Sequence, residues 1–276
     1  MNTTTYSGIK TGQNVSRQML SKVPEVTLYF WLIKVLSTTV GETFADFLSE
    51  TLKLGEVVTA IFMGIALLIS LFFQFRLKKY VAGVYWLSVV LISIEGTLIT
   101  DNLSDNLGVP LEVTTTIFGI ALIATFAIWF ASERTLSIHS IYTSKREFFY
   151  WLSILFTFAL GTAAGDLTSE KLNLGYVNAV LIFAGLIVLV AVAHYGFKLN
   201  TVLSFWLAYI FTRPLGASIG DLLSQSRKDG ALGLGTVTTS FIFLAAILIL
   251  IIYLSISKVD VNSKAKPGNE NSELEN

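Results

Sequence analysis

One pattern, Trp-Leu, eight residues, Gly, four residues, Asp, two residues, Ser, occurs four times in this chain without any change of spacing. The copies begin at Trp31-Leu32, Trp86-Leu87, Trp151-Leu152 and Trp206-Leu207 and place Gly41, Gly96, Gly161 and Gly216 ten residues after each Trp. Five residues further on stand Asp46, Asp101, Asp166 and Asp221, and then Ser49, Ser104, Ser169 and Ser224. Agreement without a gap restricts the chain to a fold made from one unit repeated four times. The Trp-to-Trp steps of 55, 65 and 55 residues group the copies into two halves, with the extra residues falling at about 132–145.

The unit is set in apolar surroundings. Eight apolar runs occupy about 27–47, 57–75, 81–100, 111–130, 148–165, 177–193, 201–219 and 237–255. Each is long enough to cross a hydrocarbon layer of ~30 Å as a helix rising ~1.5 Å per residue. With 53% hydrophobic and 14% charged residues, and a mean hydropathy of +0.68, the composition agrees. The expected fold class is all-α, a polytopic membrane protein of eight transmembrane helices arranged as four parallel helical hairpins. The expected organisation is a tail at 1–26, a first half at 27–130, a connection at 131–147, a second half at 148–256 and a disordered tail at 257–276. The first 26 residues lack the short apolar core of a cleavable leader, so the first run is expected to be retained.

Charge sets orientation and excludes partners. Thirteen Lys and Arg, from Lys10 in the first tail to Lys266 in the last, lie on one side of the spans, against Lys53, Lys171, Arg227 and Lys228 on the other. That bias places both termini in the cytoplasm of a cell inner (plasma) membrane protein. Nineteen basic residues balance nineteen acidic ones without a basic patch, so no nucleic-acid partner is expected. The chain has no Cys and only His139 and His194, which removes thiolate and imidazole metal centres and thiol nucleophiles. Any metal chemistry must use oxygen.

The fourfold Trp, Gly, Asp and Ser spacing resembles that of a group of bacterial membrane proteins built from four tandem copies of a repeat of unknown function. Each copy in that group has two transmembrane segments and a prominent Trp, and the resemblance covers about 27–256. It implies the architecture and leaves the biochemistry to the residues. Copy one departs in Glu42 and Ala45, where copy three has Thr162 and Gly165, and copy four carries Pro214 and inserted residues from Ser226 to Leu234.

Asp follows Trp by fifteen residues, ~22 Å along a helix, so the four carboxylates share one depth in the outer part of the membrane. Glu42, Thr97, Thr162 and Ala217 precede them by one helical turn on the same face. Ionised groups at this depth cost several kcal/mol, ~3 to ~10, unless they meet water, a partner or an ion. The candidate metal ligands are therefore Asp46, Asp101, Asp166, Asp221, Glu42, Glu95, Thr97 and Thr162, gathered around a central axis. Arg213, beside Pro214, is the candidate gating or charge partner, with Glu95 the suggested counter-ion. Lys34 reads as a snorkelling cation, the repeated glycines as helix-packing positions, and the Trp residues as interfacial anchors and helix contacts.

All-oxygen ligands favour a hard ion such as Mn²⁺, Mg²⁺ or Ca²⁺. Crowded carboxylates exchange protons for an arriving cation. The expected function is a small secondary transporter of a divalent cation, Mn²⁺ first and export before uptake, with protons as the coupling ion. No cofactor and no enzymatic reaction are expected. Three alternatives remain: aspartates that cap helices at the interface, a non-transporting membrane scaffold, and an intramembrane aspartyl protease that uses Gly165-Asp166 and Gly220-Asp221.

Overall fold

The computed structural model describes residues 21–261, so most of the two expected tails lies outside the described residues. Eight long helices follow one another: α1 (Leu28–Asp46), α2 (Glu56–Arg76), α3 (Ala82–Asp101), α4 (Leu111–Glu133), α5 (Ser144–Asp166), α6 (Gly175–Phe197), α7 (Thr201–Ser224) and α8 (Thr236–Ser257). Among the described residues there is no strand. The starts of α1, α5 and α7 are fixed by Thr27, Thr143 and Asn200, whose side-chain oxygens accept backbone N–H groups of the first turn. The even helices α4, α6 and α8 finish on Arg134, Lys198 and Lys258 in the left-handed conformation, where a cation also suits the negative end of the helix dipole.

The odd helices carry the repeat and form a closed ring in the order α1, α3, α5, α7. The even helices lie outside it. Each packs on the next repeat's inner helix and not chiefly on its own: α2 on α3, α4 on α5, α6 on α7, and α8 back on α1. The expected compact hairpins are therefore splayed, and the two halves interlock through α4 on α5 and α8 on α1. Burial follows the layers, with 67% of the α3 span enclosed against 17% of α2. Seven of the eight helices are long and apolar enough to cross a membrane. The remaining one, α1, matches the others in length but carries Lys34, Glu42 and the polar run Ser37–Thr39. Enclosure within the ring compensates for that polarity, since α1 touches α3, α7 and α8.

The glycines set the ring spacing by one cyclic contact used four times. Gly41 abuts Ser93, Gly96 abuts Phe158, Gly161 abuts Arg213, and Gly216 abuts Thr38. In each case the partner stands three residues before the next helix's own Gly. A β-carbon at any of the four would lie inside the neighbouring side chain, so they are close-packing positions, as small residues are in membrane bundles.

At the end where the repeats begin, hereafter the Trp end, Trp86, Trp151 and Trp206 are buried among Tyr85, Tyr150 and Trp129. They are packing residues; only Trp31 keeps a half-exposed position suited to an interfacial anchor. The described part of the segment before α1 also packs here. Lys22 is buried, with Nζ 2.6 Å from Glu147 and donating to the Phe75 carbonyl, while Gln74 donates to Glu147.

Candidate functional site

Every fourth residue of the inner helices faces the axis, which stacks the site in layers. The layer of Arg213, three residues before Gly216, decides how its neighbours are read, because contacts cross between opposite helices there. Arg213 on α7 donates to Thr97 on the opposite helix α3, to Thr162 on α5 at 2.6 Å, to Glu42 Oε2 on α1 at 3.0 Å and to the Thr38 carbonyl at 3.1 Å. It is fully buried, and Glu42 is 5% exposed. Gly161 leaves room for its stem, and Ala217, one turn on along α7, leaves the equivalent position of the Glu42 layer open. Thr97 and Thr162 thus spend their lone pairs on the guanidinium instead of facing a metal. The counter-ion of Arg213 is Glu42, not Glu95.

Beyond Arg213 the axis widens into a cavity of about 120 Å³ at the end where the repeats finish, the Asp end. All four motif aspartates line it, with Glu42 at its base. Carboxylate oxygens of Glu42, Asp166 and Asp221, from α1, α5 and α7, come within 4.8 Å of one another. Gln225 donates to Asp46 at 3.4 Å. Asp46, Asp101 and Asp166 make no side-chain capping bond to the turn that follows them. After each, the helix loosens into one π-helical turn, Phe47–Thr51, Asn102–Asn106 and Leu167–Lys171. Such π turns commonly mark functional positions. Gly165 and Gly220, just ahead of Asp166 and Asp221, stay α-helical and pack on Pro214 and Ala217, and on Glu42 and Thr43, respectively. Ser49, Ser104 and Ser169 donate to carbonyls four residues back.

Glu95 stands apart. It faces outward to α2, where its carboxylate lies against Gly64, and it does not line the cavity. The periodicity explains this, because position 95 falls two residues short of the axial position 97. A further acidic ring was legible but not read: the residue after each repeat Ser is Glu50, Asp105, Glu170 or Gln225, and all four line the cavity mouth, with Glu56 beside them. Nine carboxylates therefore line one small cavity, and Arg213 is bonded to the one at its base, Glu42.

Toward the Trp end the layers become cationic and then aromatic. Lys34 is fully buried, so it does not snorkel; its Nζ lies 4.0 Å from the ring centre of Phe158 and 4.3 Å from that of Tyr209. Beyond it, Phe30 packs near Phe205, and the hydroxyls of Tyr85 and Tyr150 meet at 2.5 Å.

Comparison with known families agrees with this fourfold construction. The family described as Repeat of Unknown Function (DUF347) matches at residues 29–80, 84–135, 149–199 and 204–260, one match per repeat. The chain belongs to this DUF347 repeat family. Each match begins within an inner helix and runs through the following outer helix, so the DUF347 unit is the covalent pair although the packed pair is offset by one helix. No curated protein and no solved structure matches the chain.

Proposed function

We propose that the protein is a secondary transporter of a hard divalent cation, with Mn²⁺ the first ion to test, export the expected direction and protons the counter-ion. One observation carries the reading: oxygens of Glu42, Asp166 and Asp221 converge from three helices within 4.8 Å at the bottom of a carboxylate-lined cavity. Oxygens bound to one Mg²⁺ or Ca²⁺ stand no more than about 4 to 5 Å apart, so the group suits a single hard ion after small adjustment. Asp46 and Asp101 complete the ring, and Glu50, Asp105 and Glu170 concentrate cations at its mouth.

Arg213 supplies the switch. Glu42 cannot give the same oxygen fully to a guanidinium and to a metal, so an arriving ion competes with Arg213 for it. Between turnovers the tethered guanidinium takes the place of the cargo, which avoids an unpaired buried carboxylate. The aromatic layers close the path toward the Trp end in this conformation, and transport requires them to part. The excess of Lys and Arg at that end supports a cytoplasmic Trp end with both termini inside the cell.

Asp166 and Asp221 also stand close enough to act as an aspartyl protease pair, but Glu42 in the same group and six other carboxylates around it favour coordination. The test is binding and flux of Mn²⁺, Mg²⁺ and Ca²⁺ by the full chain in proteoliposomes. Asp46→Asn, Asp101→Asn, Asp166→Asn and Asp221→Asn are compared one at a time. Loss of flux with preserved folding supports transport. Native flux in all four refutes it, and a common loss of folded protein favours the scaffold reading.

A further inference from the structure

Lys34 has no role in the ion site just described, yet it is the less explicable of the two axial cations. It is fully buried, and its Nζ has no hydrogen-bond partner among the described residues. Only the faces of Phe158, from the opposite helix α5, and Tyr209, from α7, contact its charge. The Arg213 guanidinium lies 5.5 Å from the same Phe158 ring, so one aromatic face serves two cations. At this level α3 presents Val89 and Ser93, α5 presents Ile154 and Phe158, and α7 presents Tyr209 and Arg213; α8 carries no charged residue. Arg213 is therefore the charged group that faces Lys34, and no carboxylate stands in its layer. Neither cation is repeated: the positions equivalent to Lys34 are Val89, Ile154 and Tyr209, and those equivalent to Arg213 are Thr38, Ser93 and Phe158.

An ammonium held by ring faces alone, without an acceptor, depends on how much positive charge its neighbours present. That amount changes when Arg213 loses Glu42. We infer that Lys34 is the proton carrier of the exchange, losing its proton when a divalent cation occupies Glu42, Asp166 and Asp221. The inference rests on the transport reading above. The cation takes Glu42, the unpaired Arg213 charge then bears on Lys34 across Phe158, and the ammonium transfers one N–H proton to water, leaving a neutral amine. The axial groups on the Trp side are the Tyr209 hydroxyl, which has no partner, and the Tyr85–Tyr150 hydroxyl pair. When the ion leaves, Arg213 pairs again with Glu42, and the amine recovers a proton from water. Each of the two transfers breaks one bond to hydrogen and forms one, N–H for O–H on release and O–H for N–H on recovery, with no change of oxidation state.

The measurement is calorimetric titration of Mn²⁺ into the purified full chain in buffers of different ionisation enthalpy, which counts protons released per ion. Lys34→Arg keeps a cation on the rings but does not give up its proton, and Lys34→Gln removes the charge. Both variants are expected to bind Mn²⁺ and to release about one proton fewer per ion than the native chain, since a guanidinium stays protonated throughout. In proteoliposomes both should lose pH-driven Mn²⁺ accumulation while downhill Mn²⁺ flux continues. Native proton release in a folded Lys34→Arg protein would overturn the inference and leave the transport reading intact. Absence of Mn²⁺, Mg²⁺ and Ca²⁺ binding by the native chain would instead remove the transport reading and the proton step with it. If Lys34→Gln does not fold, Lys34→Arg decides alone.

Discussion

The pairing of Arg213 with Glu42 makes a quantitative prediction that needs no knowledge of the cargo. Both side chains are enclosed, at 0% and 7% exposure, and their ion pair of 3.0 Å crosses from α7 to α1. Arg213→Met leaves Glu42 without its guanidinium, and Glu42→Gln leaves Arg213 without a counter-charge. Removing one partner of a buried pair costs about 3 to 5 kcal/mol, whereas replacing both with neutral groups costs far less because no buried charge is left over. The single variants should each lose about 3 kcal/mol or more, and the double variant no more than either single one, a coupling near the upper end of the 0.5 to 3 kcal/mol found for touching residues. At roughly 2 to 4 °C per kcal/mol, each single variant should melt on the order of 10 °C lower. Thermal unfolding in detergent, without divalent ions and followed by intrinsic Trp fluorescence, reads all four corners of the cycle. Additive losses would refute the reasoning, since they would mean that the two charges do not depend on each other.

Three further outcomes test the architecture and the site. Gly216→Ala should lower stability by about 1 to 3 kcal/mol because its methyl meets Thr38, whereas Gly185→Ala, in open space on α6, should be neutral or gain up to about 1 kcal/mol from helix propensity. Equal melting temperatures for these two variants would contradict the ring spacing. Glu95→Gln should leave Mn²⁺ affinity unchanged while Asp221→Asn weakens it at least about tenfold, a difference of ~1.4 kcal/mol, and a calorimetric titration that reversed this order would remove the axial assignment. Burial holds the Asp260 carboxyl above the usual aspartate range although Tyr80 donates to it at 2.5 Å. Its stabilising contribution is complete below about pH 4 and is lost as pH rises through the raised value. Asp260→Asn should flatten the fall of melting temperature with rising pH, and an unchanged slope would exclude this group as the source.

Several features were legible because helix geometry converts spacing into position. The common distance from Trp to Asp puts four carboxylates in one layer, and the residue before them by four, Glu42, Thr97 or Thr162, falls on the same face. The same arithmetic, continued by four, reaches Glu50, Asp105 and Glu170, a position the strict repeat does not mark because the fourth copy has Gln225 there. Glu95 was misplaced by treating depth as sufficient; its angle on α3 turns it toward Gly64. Lys34 reads as a snorkelling cation because α1 begins nearby, but the ring encloses it, and the burial of Lys22 has no local signal because its partners Glu147 and Phe75 are 125 and 53 residues away.

The amino-acid sequence alone determined that the unit is repeated four times, that its helices are membrane-long and apolar, and which carboxylates share a level, since these follow from local periodicity and from the cost of placing polar groups in lipid. Tertiary structure alone decided that each outer helix covers the next repeat, that Arg213 reaches Glu42, Thr97 and Thr162, and that Lys34 rests between Phe158 and Tyr209. Those choices depend on which helices are neighbours around a closed ring, and identical repeats carry no local mark of who stands beside whom.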